Sequence, residues 1–348
     1  MNDFHFAVVV GIDFYPGIRN LNFARGDAQS FANWLRDPVG GAVPKDNVEL
    51  ILEQGPFEKP DDAKPTRDAV NRALRKLHSV ARVSFKEDPT RWVNSRLYLY
   101  FSGHGLAPEP SEVAVLMADA TDDILGNNIP CALYLKYYEK SQDFREIVIF
   151  SDCCRTEKGD APIFGPPFTP DDKNFGSVIS ALGFAAQYKN VAYEPAEPDD
   201  AARGFYTRAL LEGLAGAAVD PSSATGEINS TSLQNYLRAR VQQLTQGKRN
   251  PQTPGMYADP AAPIVFRQGA APPKYNVQLL FPAPFHGRVV LLDGKFGQID
   301  THIVNGQPWQ KTLPNGLYEV RPDPPAPGVV FASQGTFRVL GGDVDVQL

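Results

Sequence analysis

The amino-acid sequence predicts an α/β protein in which a mostly parallel sheet is covered by helices and a small β-sandwich follows. Strand-like and helix-like segments alternate over residues 5–267, as they do in proteins built on parallel sheets. Residues 269–274 (Gly-Ala-Ala-Pro-Pro-Lys) are typical of a linker, and short β runs separated by Gly, Pro and Asn fill residues 275–348. We therefore expect one domain at 1–268 and a second at 275–348.

The first part of the N-terminal domain contains alternating strand and helix signals. Residues 5–12 form an apolar, β-branched run that is typical of a buried strand, and residues 48–52 and 96–101 have the same character. Apolar residues recur at helical spacing over 27–35 and again from residue 67 onward, which predicts a helix at each place.

The same signals continue along the rest of the chain. In the N-terminal domain they predict strands at 113–117, 146–150 and 178–186, and helices at 132–140, 205–215 and 232–244. In the C-terminal domain they predict strands alone, at 275–281, 287–292, 301–304, 317–320, 336–340 and 344–348. The first part therefore favours a helix-covered sheet, and the second favours a β-sandwich.

The composition excludes several classes of function. Of the 348 residues, 43% are hydrophobic and 21% are charged, which is typical of a globular protein. The net charge of −6 and the lack of a Lys/Arg run argue against a nucleic-acid partner. No stretch approaches the ~20 apolar residues of a membrane span, and the first residues do not resemble a signal peptide. Three cysteines are too few for a disulfide framework, so we expect a reducing, cytoplasmic location.

Two of the predicted strands run directly into residues that can carry chemistry. The strand at 96–101 leads into residues 102–105 (Ser-Gly-His-Gly), and the strand at 146–150 leads into residues 151–155 (Ser-Asp-Cys-Cys-Arg). Functional groups of open α/β sheets gather at the carboxyl ends of the strands. The 50 residues between His104 and the second cysteine leave room for a crossover helix, so both strands can belong to one sheet. We expect the two segments to meet in one site.

A histidine and a cysteine in one site form a catalytic pair. A thiol is a good nucleophile only as the thiolate, and an imidazole with a pKa near ~6.5 can take its proton at neutral pH. The glycines around His104 allow a sharp turn after the strand and leave room for a substrate carbonyl. The backbone amides of Gly105 and Cys154 are the expected donors of an oxyanion hole.

The same segments resemble a known family of proteases. Residues 100–105 (Tyr-Phe-Ser-Gly-His-Gly) and 149–155 (Ile-Phe-Ser-Asp-Cys-Cys-Arg) resemble the two catalytic motifs of the caspase, metacaspase and paracaspase superfamily. The spacing of about 50 residues is also the one known for caspases. Further segments that resemble the bacterial caspase-like members lie at 21–28, 204–214 and 250–254. The resemblance covers residues 5–267, and several segments in the right order make it specific.

The resemblance implies a caspase-like three-layer domain and a cysteine endopeptidase that acts on protein substrates. Metacaspases usually read Asp, a small residue, Cys and His, whereas here Asp152 is followed by Cys153, Cys154 and Arg155. Alignment on Asp152 makes Cys154 the nucleophile and leaves Cys153 as the alternative. Only one of the two sulfurs can face His104, because neighbouring residues of an extended chain point to opposite faces. Bacterial relatives imply a role in stress, cell-suicide or antiviral defence circuits.

The resemblance to metacaspases also implies a preference at the substrate's P1 position. Asp152 would line the S1 pocket and bind a P1 Arg or Lys, with Arg favoured by a bidentate contact. Asp119 and Glu194 are candidates for a second acidic residue in that pocket. True caspases instead select aspartate with arginines, and Arg19, Arg25 and Arg155 leave that alternative open.

Two long loops bear on activation. The resemblance implies that the segment 155–176 is the counterpart of the caspase intersubunit linker, with Arg155, Lys158 and Lys173 as candidate cleavage sites, whereas a tolerated surface insertion is the alternative. The acidic segment 189–203 is a second candidate. We therefore expect activation by proteolysis or by a partner, either an activating protease or a regulator.

The sequence predicts no required cofactor and no metal site. Calcium activation, known for many metacaspases, stays open because the acidic pairs are equally typical of solvated loops; these pairs are Asp61-Asp62, Asp122-Asp123 and Asp171-Asp172. A catalytically silent caspase-fold scaffold or binding module is the main alternative function. Another thiol hydrolase on a related sheet is a further one.

Overall fold

A computed structural model of the protein describes residues 2–169, 175–195, 203–220, 225–283, 285–324 and 331–348. The chain divides into two compact units, Met1–Gly269 and Ala270–Leu348. The first strand of the second unit begins at Lys274, inside the stretch that the sequence indicates as a linker. The assignment of 1–268 and 275–348 as separate domains joined by a linker at 269–274 stays a prediction.

The N-terminal unit alternates strands and helices along the chain. Its strands are β1 (His5–Gly11), β2 (Val48–Leu52), β3 (Arg96–Ser102), β4 (Gly105–Ala107), β5 (Ala114–Leu116), β6 (Asn128–Pro130), β7 (Glu146–Asp152), β8 (Thr156–Glu157), β9 (Ile179–Phe184), β10 (Ile228–Asn229), β11 (Gly255–Ala258) and β12 (Val265–Arg267). Its α-helices are α1 (Ala24–Arg36), α2 (Arg67–Glu87), α3 (Cys131–Ser141), α4 (Phe205–Glu212) and α5 (Ser230–Leu244), and a π-helical turn, Gly213–Ala217, continues α4. Short 3₁₀ turns lie at Lys45–Asn47, Pro60–Asp62 and Pro89–Asn94.

A six-stranded sheet forms the centre of this unit, in the order β11-β9-β7-β3-β1-β2. Neighbouring strands from β9 to β2 are parallel, and β11 runs antiparallel at the edge next to β9. The predicted mostly parallel sheet is confirmed. The edge strand β11 has no counterpart among the predictions, because its four residues, Gly-Met-Tyr-Ala, carry little strand signal.

Helices cover both faces of the sheet, because alternate side chains of its strands point to opposite sides. Leu99 of β3 belongs to a buried apolar cluster with Leu74 of α2 and Tyr138 of α3. Its neighbour Tyr100 faces the other way, where Phe31 of α1 stacks on its ring with a centroid distance of 4.5 Å. The sheet therefore lies between two helical layers, and the three-layer α/β fold is confirmed.

Helix α1 begins earlier than its sequence pattern predicts. The carboxylate of Asp13, in the loop after β1, accepts hydrogen bonds from the backbone amides of Ala24 at 2.6 Å and Arg25 at 3.3 Å. These are amides of the first turn, which have no partner inside the helix. Because the stabilising residue comes from another segment, the local sequence around 24–27 does not indicate the true start.

A second, small sheet lies just beyond the carboxyl ends of the central strands, in the order β6-β5-β4-β8. Strand β4 begins directly after His104, and β8 begins directly after Arg155. The two are paired in parallel, with Leu106 opposite Thr156. This small sheet therefore ties the segment after His104 to the segment after Cys154.

The C-terminal unit contains two sheets. Its strands are β13 (Lys274–Leu280), β14 (Gly287–Asp293), β15 (Gln298–Val304), β16 (Trp309–Pro314), β17 (Gly316–Pro322), β18 (Thr336–Val339) and β19 (Val344–Gln347), with a short 3₁₀ turn at Ala332–Gly335. The sheets have the orders β16-β13-β19 and β15-β14-β17-β18. Side chains of both, such as Leu279 and Val320, share one buried core, so the predicted small β-sandwich is confirmed.

One further property concerns membranes. Among the residues that the structure describes, no helix combines the length and the apolar character that a membrane crossing requires.

Candidate active site

The predicted pair, His104 and Cys154, lines one cavity of about 410 Å³ at the carboxyl edge of the central sheet. Strands β3 and β7 are adjacent and parallel, and Ser102 lies directly opposite Asp152. The residues that follow each strand therefore leave the sheet side by side. Asp152 and Glu194, two of the predicted pocket residues, also line this cavity.

His104 is held through its ring. Its Nε2 lies 2.6 Å from the backbone oxygen of Arg19, in the loop between β1 and α1. A carbonyl oxygen can only accept, so this nitrogen carries the proton and the neutral ring keeps its lone pair on Nδ1. Burial lowers the pKa of His104 below its usual value, although the hydrogen bond to the Arg19 backbone opposes this shift. The imidazole is therefore neutral at neutral pH and can act as a base through Nδ1.

Cys154 presents a half-buried thiol to the same cavity. The backbone amide of Ala192 donates to its Sγ at 3.3 Å, and the carbonyl oxygen of Ala192 lies 3.7 Å from the same sulfur. Burial raises the pKa of this thiol above its usual value. Since the pKa of His104 is lowered, the resting site holds a neutral thiol beside a neutral imidazole.

Cys153 has a different environment from its neighbour. Its side chain is 2% exposed, and its Sγ lies 3.0 Å from the hydroxyl of Ser151. A Cβ placed at Gly105 would overlap this sulfur, so the thiol is packed tightly beneath the glycine. Burial raises the pKa of Cys153 to about 12. A thiol of this kind remains protonated, as does Cys131, which is also buried and has a pKa raised by burial.

Two buried carboxylates face each other in the cavity wall. Asp152 accepts hydrogen bonds from the backbone amide of Thr207 at 3.0 Å and from its hydroxyl at 2.6 Å. Asp27 accepts from the Ser102 hydroxyl at 3.1 Å and from the backbone amide of Gly204 at 3.1 Å. A Cβ at Gly204 would lie 2.5 Å from Asp152 Oδ2 and 2.9 Å from Asp27 Oδ2. Only a glycine therefore fits between these two acids.

The charges of these carboxylates are poorly solvated. Burial raises the pKa of Asp152 to about 6. Burial also raises the pKa of Asp27 well above its usual value, and the neighbouring Asp152 raises it further. Glu194 accepts a hydrogen bond from the amide of Phe23 at 3.3 Å, and its pKa is raised by burial as well. Three acids thus line one small cavity, and Arg19, a candidate for the opposite preference, lines it as well.

Asp27 is a residue that the sequence analysis missed. It lies in the first turn of α1, where an acidic residue is usually explained by the helix dipole. Its side chain is 1% exposed, however, and it reaches the cavity because α1 packs on the sheet beside β3. The available signal in the sequence was an acidic residue on the apolar side of an amphipathic helix, the side that faces the sheet.

Other predicted residues lie elsewhere. Asp119 is not among the residues that line this cavity, and its assignment to the S1 pocket stays a prediction. The amide of Ala118 donates to the carbonyl of Pro65, so the chain turns away from the site, and Lys64 and Arg67 are the basic residues near Asp119. Arg25 is also outside the cavity, and its guanidinium lies 4.0 Å from the carboxylate of Glu53.

Arg155 is neither a pocket residue nor an accessible cleavage site. Its side chain is 2% exposed. The guanidinium donates to the carbonyl oxygens of Pro110 at 2.6 Å and Glu112 at 3.0 Å, and it lies 4.1 Å above the ring of Phe184. Lys158 is exposed. Lys173 and the ranges 170–174 and 196–202, which belong to the two predicted activation loops, lie outside the described residues.

The pairing of β4 defines where the amide of Gly105 points. Gly105 lies opposite Val115, and the amide of Leu116 donates to the carbonyl of His104 at 2.9 Å. In an antiparallel ladder this makes Gly105 and Val115 a pair without mutual hydrogen bonds. The Gly105 amide therefore points away from β5, although Gly105 itself does not line the cavity.

The acidic pairs considered for calcium do not form a metal centre in the described parts of the chain. No group of three or more His, Cys, Asp or Glu residues with ligand geometry occurs there. Two of the three acidic pairs are exposed at turns or bends, namely Asp61-Asp62 and Asp122-Asp123. The third pair, Asp171-Asp172, lies outside the described residues.

Several known proteins are similar to this chain. The caspase-domain family model matches residues 5–263. A probable protease from a Desulfuromonadales bacterium is 28% identical over 231 residues, which is 61% of this chain and 26% of that protein. The chain thus spans about a quarter of the length of that curated relative.

Solved caspase structures are also similar to this chain. The crystal structure of caspase-1 from Spodoptera frugiperda aligns with 76% of this chain and 90% of its own, at 11% identity and a TM-score of 0.47. A structure described as pro-sf-caspase-1 aligns with 74% of this chain and 91% of its own, at 10% identity and a TM-score of 0.44.

Proposed function

The chain belongs to the caspase-domain family, and from this premise we propose that it is a cysteine endopeptidase whose dyad is His104 and Cys154. The observation that supports this most directly is the shared cavity at the ends of β3 and β7, which both side chains line. The hydrogen bond from Nε2 to the Arg19 carbonyl leaves Nδ1 as the basic nitrogen.

The reaction begins from a neutral pair. Nδ1 of His104 takes the proton of the Cys154 thiol as the sulfur attacks the carbonyl carbon of the scissile peptide bond. The imidazolium then gives this proton to the leaving amine, and an acyl-enzyme remains on Cys154. Water, deprotonated by the same nitrogen, attacks the thioester, releases the carboxylic acid and restores the thiol. Each step conserves the protons that the two side chains exchange.

The negative charge on the carbonyl oxygen needs hydrogen-bond donors. The amides of Gly105 and Cys154 are proposed for this role, and the outward orientation of the Gly105 amide supports it. A side chain at position 105 would collide with the buried Cys153 and displace this backbone. Cys153 packs beneath this glycine and supports the backbone there.

The acids of the cavity support a preference for Arg or Lys at P1. A guanidinium can bridge Asp27 and Asp152, which lie on either side of Gly204, with Glu194 near the same opening. A cation that enters lowers the energetic cost of ionising both buried acids. An acidic P1 side chain would add a further negative charge to a poorly solvated acidic site, which disfavours the aspartate preference of true caspases.

Activation by proteolysis or by a partner completes the proposal. With Arg155 buried, Lys158 is the exposed basic residue of the described part of the 155–176 segment. It matches the proposed P1 preference of the enzyme itself. Protein substrates, and an activating protease or regulator, are the partners that follow from this reading.

Peptide cleavage tests the proposal. Fluorogenic peptides that end in Arg, Asp or Leu are compared by kcat/KM, with Cys154→Ala as the blank. We expect the Arg peptide to exceed the Asp peptide by about 100-fold or more, since an uncompensated buried charge costs several kcal/mol. Asp27→Asn and Asp152→Asn should reduce this ratio, whereas Asp123→Asn, which changes an exposed acid, should not.

Three results would contradict the proposal or part of it. A preference for the Asp or Leu peptide would overturn the P1 assignment and leave the protease assignment intact. A folded protein that cleaves none of the peptides and whose Cys154 is not labelled by a peptidyl chloromethylketone would favour the silent scaffold. Cleavage of non-peptide thioesters or amides alone would favour another thiol hydrolase.

A further inference from the structure

Tyr15, which the proposed chemistry does not use, contacts His104 at its backbone. Tyr15 lies in the loop after β1, its side chain is 1% exposed, and its ring centroid is 4.9 Å from that of the imidazole. The backbone amide of His104 donates to the Tyr15 hydroxyl at 2.9 Å. The same hydroxyl donates its own proton to the carbonyl oxygen of Leu116 at 3.3 Å.

This hydroxyl stands where a backbone hydrogen bond would otherwise form. The register of β4 and β5 pairs Gly105 with Val115, so the next step pairs His104 with Leu116. In a complete antiparallel pair each of these two residues would donate to the other. Here the Leu116 amide does donate to the His104 carbonyl at 2.9 Å, but the return bond passes through the Tyr15 hydroxyl.

The same turn also contacts the other end of His104. The amide of Tyr15 donates to the Asn20 side-chain oxygen at 2.9 Å, which closes a tight turn over residues 15–20. Arg19 within this turn provides the carbonyl that receives the ring Nε2–H. One turn therefore contacts His104 at its backbone and at its ring, so the two contacts constrain both the position and the rotation of the imidazole.

We infer that Tyr15 is a positioning residue for His104, because its hydroxyl is inserted into the β4–β5 ladder and holds the histidine out of regular strand pairing. The oxygen takes the place of the second direct hydrogen bond of this pair, and the His104 side chain lines the cavity that Cys154 also lines. Gly103 fits this arrangement, since a Cβ there would lie 2.5 Å from the Tyr15 hydroxyl oxygen. This inference rests on the proposed dyad and adds the residue that determines its geometry.

Tyr15→Phe removes the hydroxyl and keeps the ring. The His104 amide then loses its acceptor or closes directly onto Leu116, and either change moves the imidazole. We expect kcat/KM on the Arg peptide to fall by about 10- to 100-fold, mainly through kcat, because displacements of about 1 Å have effects of this size. Tyr134→Phe is the matched control: that tyrosine is equally buried and donates to Asn71 at 2.8 Å, far along the chain from His104. It should leave kcat/KM within about twofold of wild type.

A second measurement separates positioning from stability and does not depend on peptide turnover. The rate of Cys154 alkylation by iodoacetamide is followed against pH by mass spectrometry in wild type, Tyr15→Phe, Tyr134→Phe and His104→Ala. We expect the Tyr15→Phe profile to move toward that of His104→Ala, while the Tyr134→Phe profile matches wild type. If wild type cleaves no peptide, the proposed function fails, yet this profile still tests the role of Tyr15.

Two outcomes would overturn the inference. One is a Tyr15→Phe protein with wild-type kcat and a wild-type alkylation profile. The other is an equal loss in Tyr15→Phe and Tyr134→Phe, which would indicate general destabilisation. If Tyr15→Phe does not fold, Gly103→Ala provides the second variant, since it displaces the hydroxyl without removing it. Retained kcat and an unchanged alkylation profile in that variant would equally reject the role.

Discussion

The two sides of the cavity are built in different ways. On one side, His104 has partners for its amide, its carbonyl and its ring, all from the turn after β1 or from the neighbouring strand β5. On the other side, the Cys154 sulfur has its hydrogen-bond contacts with the backbone of Ala192, within residues 187–195, which form neither helix nor strand. The base is thus positioned by strand pairing together with a tight turn, whereas the surroundings of the nucleophile depend on a loop.

This loop is nevertheless anchored at several points. The amide of Arg155 donates to Asn190 at 2.9 Å, and the amide of Tyr193 donates to the Gln252 side chain at 2.8 Å. Glu194 accepts from Phe23 near the start of α1. The difference therefore lies in the kind of support: strand pairing and a tight turn for the base, and single long-range contacts for the nucleophile. Changes in the loop can alter the nucleophile without disturbing the base.

The largest expected effect comes from the nucleophile itself. Cys154→Ala should lower kcat/KM by more than about 10⁴-fold, because no other group at that position can form the acyl-enzyme. Cys153→Ala is the matched control and should retain substantial activity, since the Cys153 thiol is buried with a pKa raised to about 12. Steady-state rates of both purified variants decide which cysteine is the nucleophile. The reverse pattern would reassign the nucleophile to Cys153.

The next largest effect concerns the base, His104. His104→Ala should reduce kcat/KM by about 10²–10⁴-fold through the loss of base catalysis. In wild type the lowered pKa of His104 means that Nδ1 remains unprotonated at lower pH than in an ordinary histidine. Activity on the Leu peptide, which does not need the acidic pocket, should therefore decline only below about pH 6.5, and His104→Ala should lack this decline. An identical acid limb in the variant would argue against His104 as the base.

The smallest effect concerns processing in the 155–176 segment. Active enzyme should show cleavage at Lys158, or elsewhere within 155–176 or 189–203, that Cys154→Ala does not show on a denaturing gel. Lys158→Gln should remove its own cut and lower turnover by less than about tenfold, because the cavity already exists in the uncut chain. Arg155→Gln tests the buried neighbour separately. An intact Lys158→Gln protein with full activity would show that cleavage at this residue is not the switch.

Local sequence was sufficient for the regular parts of the fold and for the two strand ends. The runs at 48–52 and 96–101 predicted β2 and β3 because both runs are rich in apolar residues, and both strands belong to the central sheet. The strands β11 and β16 were not predicted, because their mixed residues carry little strand signal. Pairing with neighbouring strands, rather than local preference, establishes them.

The same distinction holds for the residues of the site. His104, Cys154 and Asp152 lie at the ends of strands, and parallel pairing brings strand ends together. Asp27 and Tyr15 could not be identified, because their roles depend on contacts with Gly204 and His104, which are distant in sequence. The surroundings of Asp119 also depend on a distant segment, since the amide of Ala118 donates to the carbonyl of Pro65, and its assignment to the S1 pocket stays a prediction.

The contact between Asp27 and Gly204 has a consequence for the timing of synthesis. These residues are 177 positions apart, and the cavity that contains them also holds residues 192–195, whose anchor Gln252 comes later still. Contacts over such distances form late, after long segments of chain have been brought together. A growing chain therefore carries both catalytic motifs well before it has a pocket to hold a substrate. The proposed proteolysis therefore requires a chain that is folded at least as far as Gln252, the anchor of the loop beside Cys154.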